Sequence, residues 1–331
     1  MRKTSQREHL SCSVVICTRN RPEQLERCLD AVKRLAYPRI EVLVVDNAPA
    51  DERTKEVANR FSAGYVVEPV IGLSRARNLG ARVSTGEIIA YLDDDCTPEP
   101  EWLNALVREF EDERVMAVAG QTLVKEGVGW KAPPGLLIGL NCGGTEHFVV
   151  DRQTPLWFEI TNFGGIGIGC NMAFRRRALE EETVFDPRLG RGAYLYGSEE
   201  HHAFFKLVNR GWSVVYTPQA VVHHACIEFF ADPGTYHRKT LASVAGYATL
   251  LFLEEPFFRA GLLKYVTRSL NGGPPWREPK AKMPAHVSSR WHKLLACFHG
   301  PFLYALTRLR RQPDQVVPVR ALRESAKSSS R

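Results

Sequence analysis

Through the first third of the chain the apolar positions fall in short unbroken runs, with no alternation of apolar and polar residues. Val14-Val15-Ile16-Cys17, Ile40 to Val45, Tyr65 to Val67 and Glu87 to Leu92 each end in polar residues. Runs of this kind suit strands buried on both faces. Between them the apolar spacing changes to that of helices. Pro22 fits the first turn of a helix through Leu25, Cys28, Leu29 and Val32, and further helices are predicted over 51–61 and Leu73 to Val83. Strand and helix in strict alternation predict an α/β fold, a Rossmann-like, mostly parallel sheet flanked by helices. Such sheets bind ligands at the carboxyl ends of their strands, where this chain carries Thr18, Asp46 and Asp93-Asp94-Asp95.

The pattern then weakens. From Glu126 to Gly169 the chain is punctuated by Gly127, Gly129, Pro133, Pro134, Gly143, Gly144 and the glycines of 164–169, which predicts loop or irregular sheet. A helix from Glu199 to Asn209 and a strand at Val214 to Tyr216 follow, with His223-His224 closing the main domain. After Glu255 two amphipathic patterns, Phe258/Leu262/Tyr265/Val266 and Trp291/Leu294/Leu295/Phe298/Phe302, flank a Gly- and Pro-rich loop. The expected organisation is a flexible N-terminus (1–11), one globular domain (12–228), a basic helical extension (229–311) and a Ser-rich, disordered tail (312–331).

With 331 residues, 44% hydrophobic and 24% charged, the chain can bury a full core. Its net charge of +7 is unevenly divided. Residues 256–331 hold 15 Lys or Arg against 3 acids (+12), leaving 29 against 34 (−5) for the preceding 255. A basic amphipathic extension fits either an anionic membrane surface or packing on the body or a second subunit, and nucleic acid is not expected as a partner. The 8 cysteines include no CxxC pair. Reduced thiols and a cytoplasmic location, at the inner face of the membrane if the extension binds there, are the expectation. No run approaches the ~20 apolar residues of a membrane span.

Three adjacent carboxylates at a strand end repel one another unless a cation, or phosphates carried by one, collects there. A second acidic pair, Glu199-Glu200, stands at the start of a predicted helix behind Ser198, which is a good N-cap type. Acids in a first turn also gain from the helix dipole alone. Helical spacing separates the pair: Glu200 shares a face with Phe204 and Leu207, whereas Glu199 lines up with Lys206 and Arg210 and is expected to face water.

Six segments in order, SVVICTRNRPEQLERCL, IEVLVVDNAP, GLSRARNLGA, GEIIAYLDDDCTPEPEWL, GIGCNMAFRR and GSEEHHAFFKLVNRGWSVVYTPQAVVHH, resemble family-2 glycosyltransferases over roughly 12–224. The resemblance implies the GT-A fold and inverting transfer of a sugar from a nucleotide-diphosphate donor to a hydroxyl acceptor. It implies that Thr18, Arg19, Asp46, Arg77, Asn78, Asp93 and Asp94 meet the donor and that Asp95 and His224 meet a Mg²⁺ or Mn²⁺ ion. Gly169, Cys170 and Asn171 are implied for the acceptor or the donor sugar. Glu199-Glu200 fall on the family's Glu-Asp pair, which makes Glu200 the base, one methylene longer than the usual Asp. Two other classes remain open: a nucleotide-sugar-binding protein without chemistry, and a nucleotidyltransferase on a related scaffold, although the chain lacks a Gly-rich, Lys-containing loop at its first strand.

Overall fold

The computed structural model describes residues 10–126, 129–131, 144–180, 185–225, 233–271 and 290–309. The four apolar runs form β1 (Cys12–Thr18), β2 (Ile40–Asn47), β3 (Gly64–Glu68) and β4 (Ile88–Asp93), paired in parallel in the order β3-β2-β1-β4. All seven residues of β1 and the first five of β4 are buried, as unbroken apolar runs require. Helices α1 (Pro22–Val32), α2 (Arg53–Arg60) and α3 (Leu73–Val83) connect them. Pro22 begins α1, where its missing N–H costs nothing.

Beyond β4 the sheet is mixed. Strands β5 (Cys96–Pro98), β6 (Val115–Glu126), β7 (Gly129–Lys131), β8 (Phe148–Val150), β9 (Asn171–Arg175) and β10 (Ser213–His224) complete ten strands among the described residues. β9 runs antiparallel between β4 and β6, whereas β6 and β10 are parallel to each other. Helices α4 (Trp102–Arg108), α5 (Trp157–Asn162), α6 (Arg176–Glu180) and α7 (Glu199–Asn209) are interspersed. Leu25, Leu29, Val57, Trp102 and Leu106, from α1, α2 and α4, fill one face of the sheet. Ala76, Leu79, Phe204, Leu207 and Val208, from α3 and α7, fill the other.

Register brings the chemistry to one edge. Thr18 pairs with Asp46, Cys17 with Asp93, Leu92 with Asn171, and His224 with Cys96. A register shift between Thr217 and Val221 bends β10. At that bend Gly120 is required, because a Cβ there would stand 2.3 Å from the Ala220 carbonyl oxygen.

The extension is helical and lies against the body: α8 (Pro233–Glu254), α9 (Arg259–Asn271) and α10 (Arg290–Leu309). Tyr247, Leu250, Leu251, Leu262, Tyr265 and Tyr304 share a core with Phe158, Phe163 and Phe205. No helix among the described residues is long and apolar enough to cross a membrane. The expected boundary at 228 and the tail over 312–331 lie outside the described residues. Of the expected flexible start, residues 1–9 lie outside the described residues, while Ser11 is held in place: its N–H and hydroxyl both donate to the Glu87 carboxylate, at 2.9 and 3.0 Å.

Candidate active site

Two cavities meet at the carboxyl edge of the sheet. The larger, about 410 Å³, is walled by the turn after β1 (Thr18, Arg19, Asn20, Arg21), by Asn47, by Asp93 to Asp95 and by Arg191 and Gly192. The smaller, about 160 Å³, lies against the start of α7 and is walled by Arg77, Gly169, Cys170, Glu199, Glu200 and His201, with Leu241 and Ser243 of α8. Asp93, His224, Leu73, Arg191 and Tyr196 border both.

The triple acid resolves into two roles. Asp94 turns into the protein, where it accepts hydrogen bonds from the Thr18 hydroxyl at 2.7 Å and from Arg21 at 3.3 Å. Burial pushes its carboxyl up to about 6 against these two partners. Asp93 and Asp95 converge with His224, each offering one ligand atom within 4.8 Å of the others. His224 Nε2 lies 3.0 Å from Asp95 Oδ1. Burial opposes ionisation of Asp95, but the His224 hydrogen bond and charge, with Arg21, outweigh it and hold the carboxyl below its usual value. Two carboxylates and an imidazole at one strand edge are a donor set that suits a divalent ion.

Arg77 ties the second acidic pair to the first. Its guanidinium is 2% exposed and donates to Glu199 Oε1 at 2.6 Å, to Asp93 Oδ1 at 3.4 Å and to the Gly169 carbonyl at 2.9 Å. A Cβ on Gly169 would lie 2.8 Å from this guanidinium and would displace it from its partners. Glu199, expected to face water, is 4% exposed and bound to Arg77. Glu200 is 8% exposed. Lys206 and Arg210 on the same face stay partly or fully exposed, so it is Arg77 of α3 that removes Glu199 from water, a long-range contact local spacing does not encode. Nor does Ser198 cap α7: it takes a left-handed φ of 68° and its side chain makes no capping bond. A non-glycine residue in that region is strained, which is common beside functional groups. Burial, then the neighbouring Glu200 charge, pushes Glu199 up to about 7, with Arg77 opposing. Glu200 Oε2 and Glu199 Oε2 are buried with no hydrogen-bond partner among the described residues.

Three residues expected at the site support it from outside both cavities. Asp46 is fully buried and accepts from the Tyr65 hydroxyl at 2.9 Å, leaving its neighbour Asn47 to reach the cleft. Asn78 exchanges hydrogen bonds with the backbone of Phe185, at 2.7 and 3.2 Å. Asn171 donates to the Gln121 and Ala220 carbonyls and accepts from Trp102 Nε1, all at 2.8 Å. That uses both of its N–H donors, so it braces β9, β6, β10 and α4 from within the protein. Conversely, Arg21, Arg191 and the α8 residues were not singled out from sequence. Arg191 lies in a glycine-punctuated loop without period, and the α8 residues come from a segment distant in sequence.

The fold and this edge define a GT-A glycosyltransferase, and the chain matches known proteins accordingly. The sequence pattern described as Glycosyl transferase family 2 matches residues 13–183, and the chain belongs to that family. It is 30% identical over 247 residues to the succinoglycan biosynthesis protein ExoM of Rhizobium meliloti, covering 72% of each chain. It is 27% identical over 237 residues to the glucosyl-dolichyl phosphate glucuronosyltransferase of Haloferax volcanii, covering 66% of this chain and 71% of the relative. The glycosyltransferase AglE of the same organism is 40% identical over 116 residues, which span only 38% of its length. Among solved structures, the mannosyltransferase PcManGT from Pyrobaculum calidifontis superposes with a TM-score of 0.56 at 18% identity, covering 97% of this chain and 81% of that one.

The raised Glu199 carboxyl has a consequence for stability. Its folded value of about 7 stands above the ordinary 4.5, so the folded protein retains a proton that the unfolded chain releases. The associated stabilisation is complete below about pH 4 and is lost as pH rises toward 7. Unfolding free energies of wild type relative to Glu199→Gln, from denaturant titrations across that range, should therefore fall by up to about 3 kcal/mol. A difference that stays flat or rises with pH contradicts the assignment.

Proposed function

We propose that the protein transfers a sugar, with inversion, from a nucleotide-diphosphate donor in the larger cleft to an acceptor hydroxyl in the smaller cavity. The observation that carries this reading is the junction of the two cavities at Asp93 and His224, with Glu199 and Glu200 on the acceptor side. PcManGT was solved with GDP-Man and Mn²⁺, and another neighbour, GalNAc-T7 (TM-score 0.51, 21% identity), with UDP, GalNAc and Mn²⁺. These complexes support a nucleotide-sugar donor and a Mn²⁺ or Mg²⁺ ion here.

In this reading Asp93, Asp95 and His224 hold the cation. Bound there, the ion neutralises charge on the departing diphosphate. Arg19 and Asn47 border the cleft for the nucleotide, while Thr18 and Arg21 anchor Asp94 and so set the acidic turn. Arg77 holds Glu199 in place and leaves Glu200 as the carboxylate free to take the acceptor proton. Gly169 and Cys170 border the acceptor side. Sequestering the attacking hydroxyl beside its base supplies orientation as well as proton transfer.

Glu200→Gln should keep donor and cation affinity, because the side chain is isosteric and lies outside the larger cleft. Transfer should fall by at least ~10² to 10⁴, the usual contribution of a positioned general base. Product analysis should show a nucleoside diphosphate, with no pyrophosphate. Turnover near the wild-type level in Glu200→Gln removes Glu200 from the mechanism, and pyrophosphate release identifies nucleotidyl transfer instead.

The extension is proposed to rest on an anionic membrane surface. Phe257, Leu295, Phe298 and Phe302 are strongly exposed, with Phe257 at 85% and Phe298 at 79%, on helices carrying Arg259, Lys264 and Arg308. Insertion of such rings beside basic side chains is how amphipathic helices hold a lipid interface, and one relative's name places a dolichyl phosphate in its substrate. The Phe298→Glu/Phe302→Glu double variant should retain its melting temperature and lose co-sedimentation with phosphatidylserine vesicles at low salt. Undiminished sedimentation of this variant, or wild-type protein that stays in the supernatant, argues against membrane contact. A concentration-dependent dimer lost in the same variant would assign the face to a second copy.

A further inference from the structure

Beside the carboxylate set lies a second cluster of different chemistry. Cys96 Sγ, Cys170 Sγ and a ring nitrogen of His224 lie within 4.8 Å of one another, and all three residues are buried. Three separate stretches of chain supply them. Cys96 opens β5 and is the register partner of His224 across the antiparallel pair with β10, so both side chains leave the same face at adjacent positions. Cys170 ends the glycine-rich turn before β9, with the Thr122 hydroxyl 3.6 Å from its sulfur. The two ligand sets share His224 and nothing else.

Ligand type decides which ion each set prefers. Carboxylates suit Mg²⁺ and Mn²⁺, while thiolates paired with imidazole suit Zn²⁺ and other thiophilic metals. At a Zn–S distance of ~2.3 Å, two sulfurs of a tetrahedral site stand on the order of 3.8 Å apart, so the observed cluster closes with small side-chain movements. Cys170 and His224 border the smaller cavity, which gives an ion a route in. Cys12, Cys17 and Cys28 are equally buried, but none joins a three-ligand group among the described residues.

We infer that Cys96, Cys170 and His224 form a site for a thiophilic divalent ion such as Zn²⁺, separate from the carboxylate site and competing with it for His224. The thiol site stands without the proposed transferase chemistry, since neither cysteine belongs to the carboxylate set. Only the competition rests on that reading. Two thiolates and one imidazole leave a fourth position for water, a ligand set known to hold zinc in enzymes. Occupation withdraws His224 from Asp95 and so weakens capture of the hard cation.

Cobalt is the probe, because its thiolate complexes absorb through sulfur-to-metal charge transfer and its carboxylate complexes do not. Full-length protein kept reduced with a phosphine and titrated with Co²⁺ should develop a near-ultraviolet charge-transfer band that saturates at one ion per chain. The Cys96→Ser/Cys170→Ser double variant should lose the band, and Asp93→Asn/Asp95→Asn should keep it. The second result separates this site from the proposed catalytic one: failure of Mn²⁺ to bind would sink the transferase reading and leave the cobalt band in place. No band in wild type, or a band retained by the double-cysteine variant, overturns the inference. If that variant does not fold, X-ray absorption at the zinc edge of wild-type protein loaded with one Zn²⁺ decides: two sulfur neighbours uphold the site, and nitrogen and oxygen alone refute it.

Discussion

The buried guanidinium of Arg77 is the constraint around which the catalytic edge is organised. A charge removed from water costs several kcal/mol unless it is fully paired, and Arg77 meets that demand with one carboxylate from α7, one from the end of β4 and a carbonyl from the turn before β9. Three pieces of chain far apart in sequence are thereby fixed to α3. The glycine at 169 and the left-handed Ser198 are local adjustments that let those pieces approach. Because Glu199 is held by Arg77, the adjacent Glu200 is left at the cavity wall with no salt bridge to an arginine among the described residues.

Around this centre the sheet supplies direction and the extension supplies enclosure. Parallel strands end their carboxyl termini at one edge, and the antiparallel β9 returns the chain to that edge at Asn171. Asn171 then fastens the mixed half of the sheet through its amide bonds to backbone and Trp102. Helix α8 carries the far wall of the smaller cavity. The extension therefore acts on the site as well as presenting an exposed aromatic face, so enclosure and surface contact are compatible uses of one segment.

The sequence was most legible where local pattern and tertiary environment agree. β1, α1, β2, α3 and β4 were expected from buried runs and helical spacing, and α3 and α7 begin and end where predicted. β5, β6, β9 and α4 were not singled out, because Gly120, Gln121 and Thr122 break the apolar run of β6 and β9 is placed by long-range antiparallel pairing. At the site, the family motifs located the acidic edge, Arg77 and the Glu pair, but residue type alone did not separate groups that face the cleft from groups that brace it. Asp46, Asn78 and Asn171 are polar because buried backbone and hydroxyl groups need partners. Glu199 was misread for a related reason: helical spacing identifies a face, and only the fold says whether solvent or Arg77 covers it.

A double-mutant cycle on Arg77→Met and Glu199→Met tests that organising pair most directly, with unfolding free energies measured at about pH 8, where the carboxyl is ionised. Each single change strands a buried charge and should cost roughly 3–5 kcal/mol, whereas the double change removes both charges and should cost well below the sum. Additive losses would mean that the two groups do not depend on each other, and the account of the catalytic edge built on Arg77 would fail.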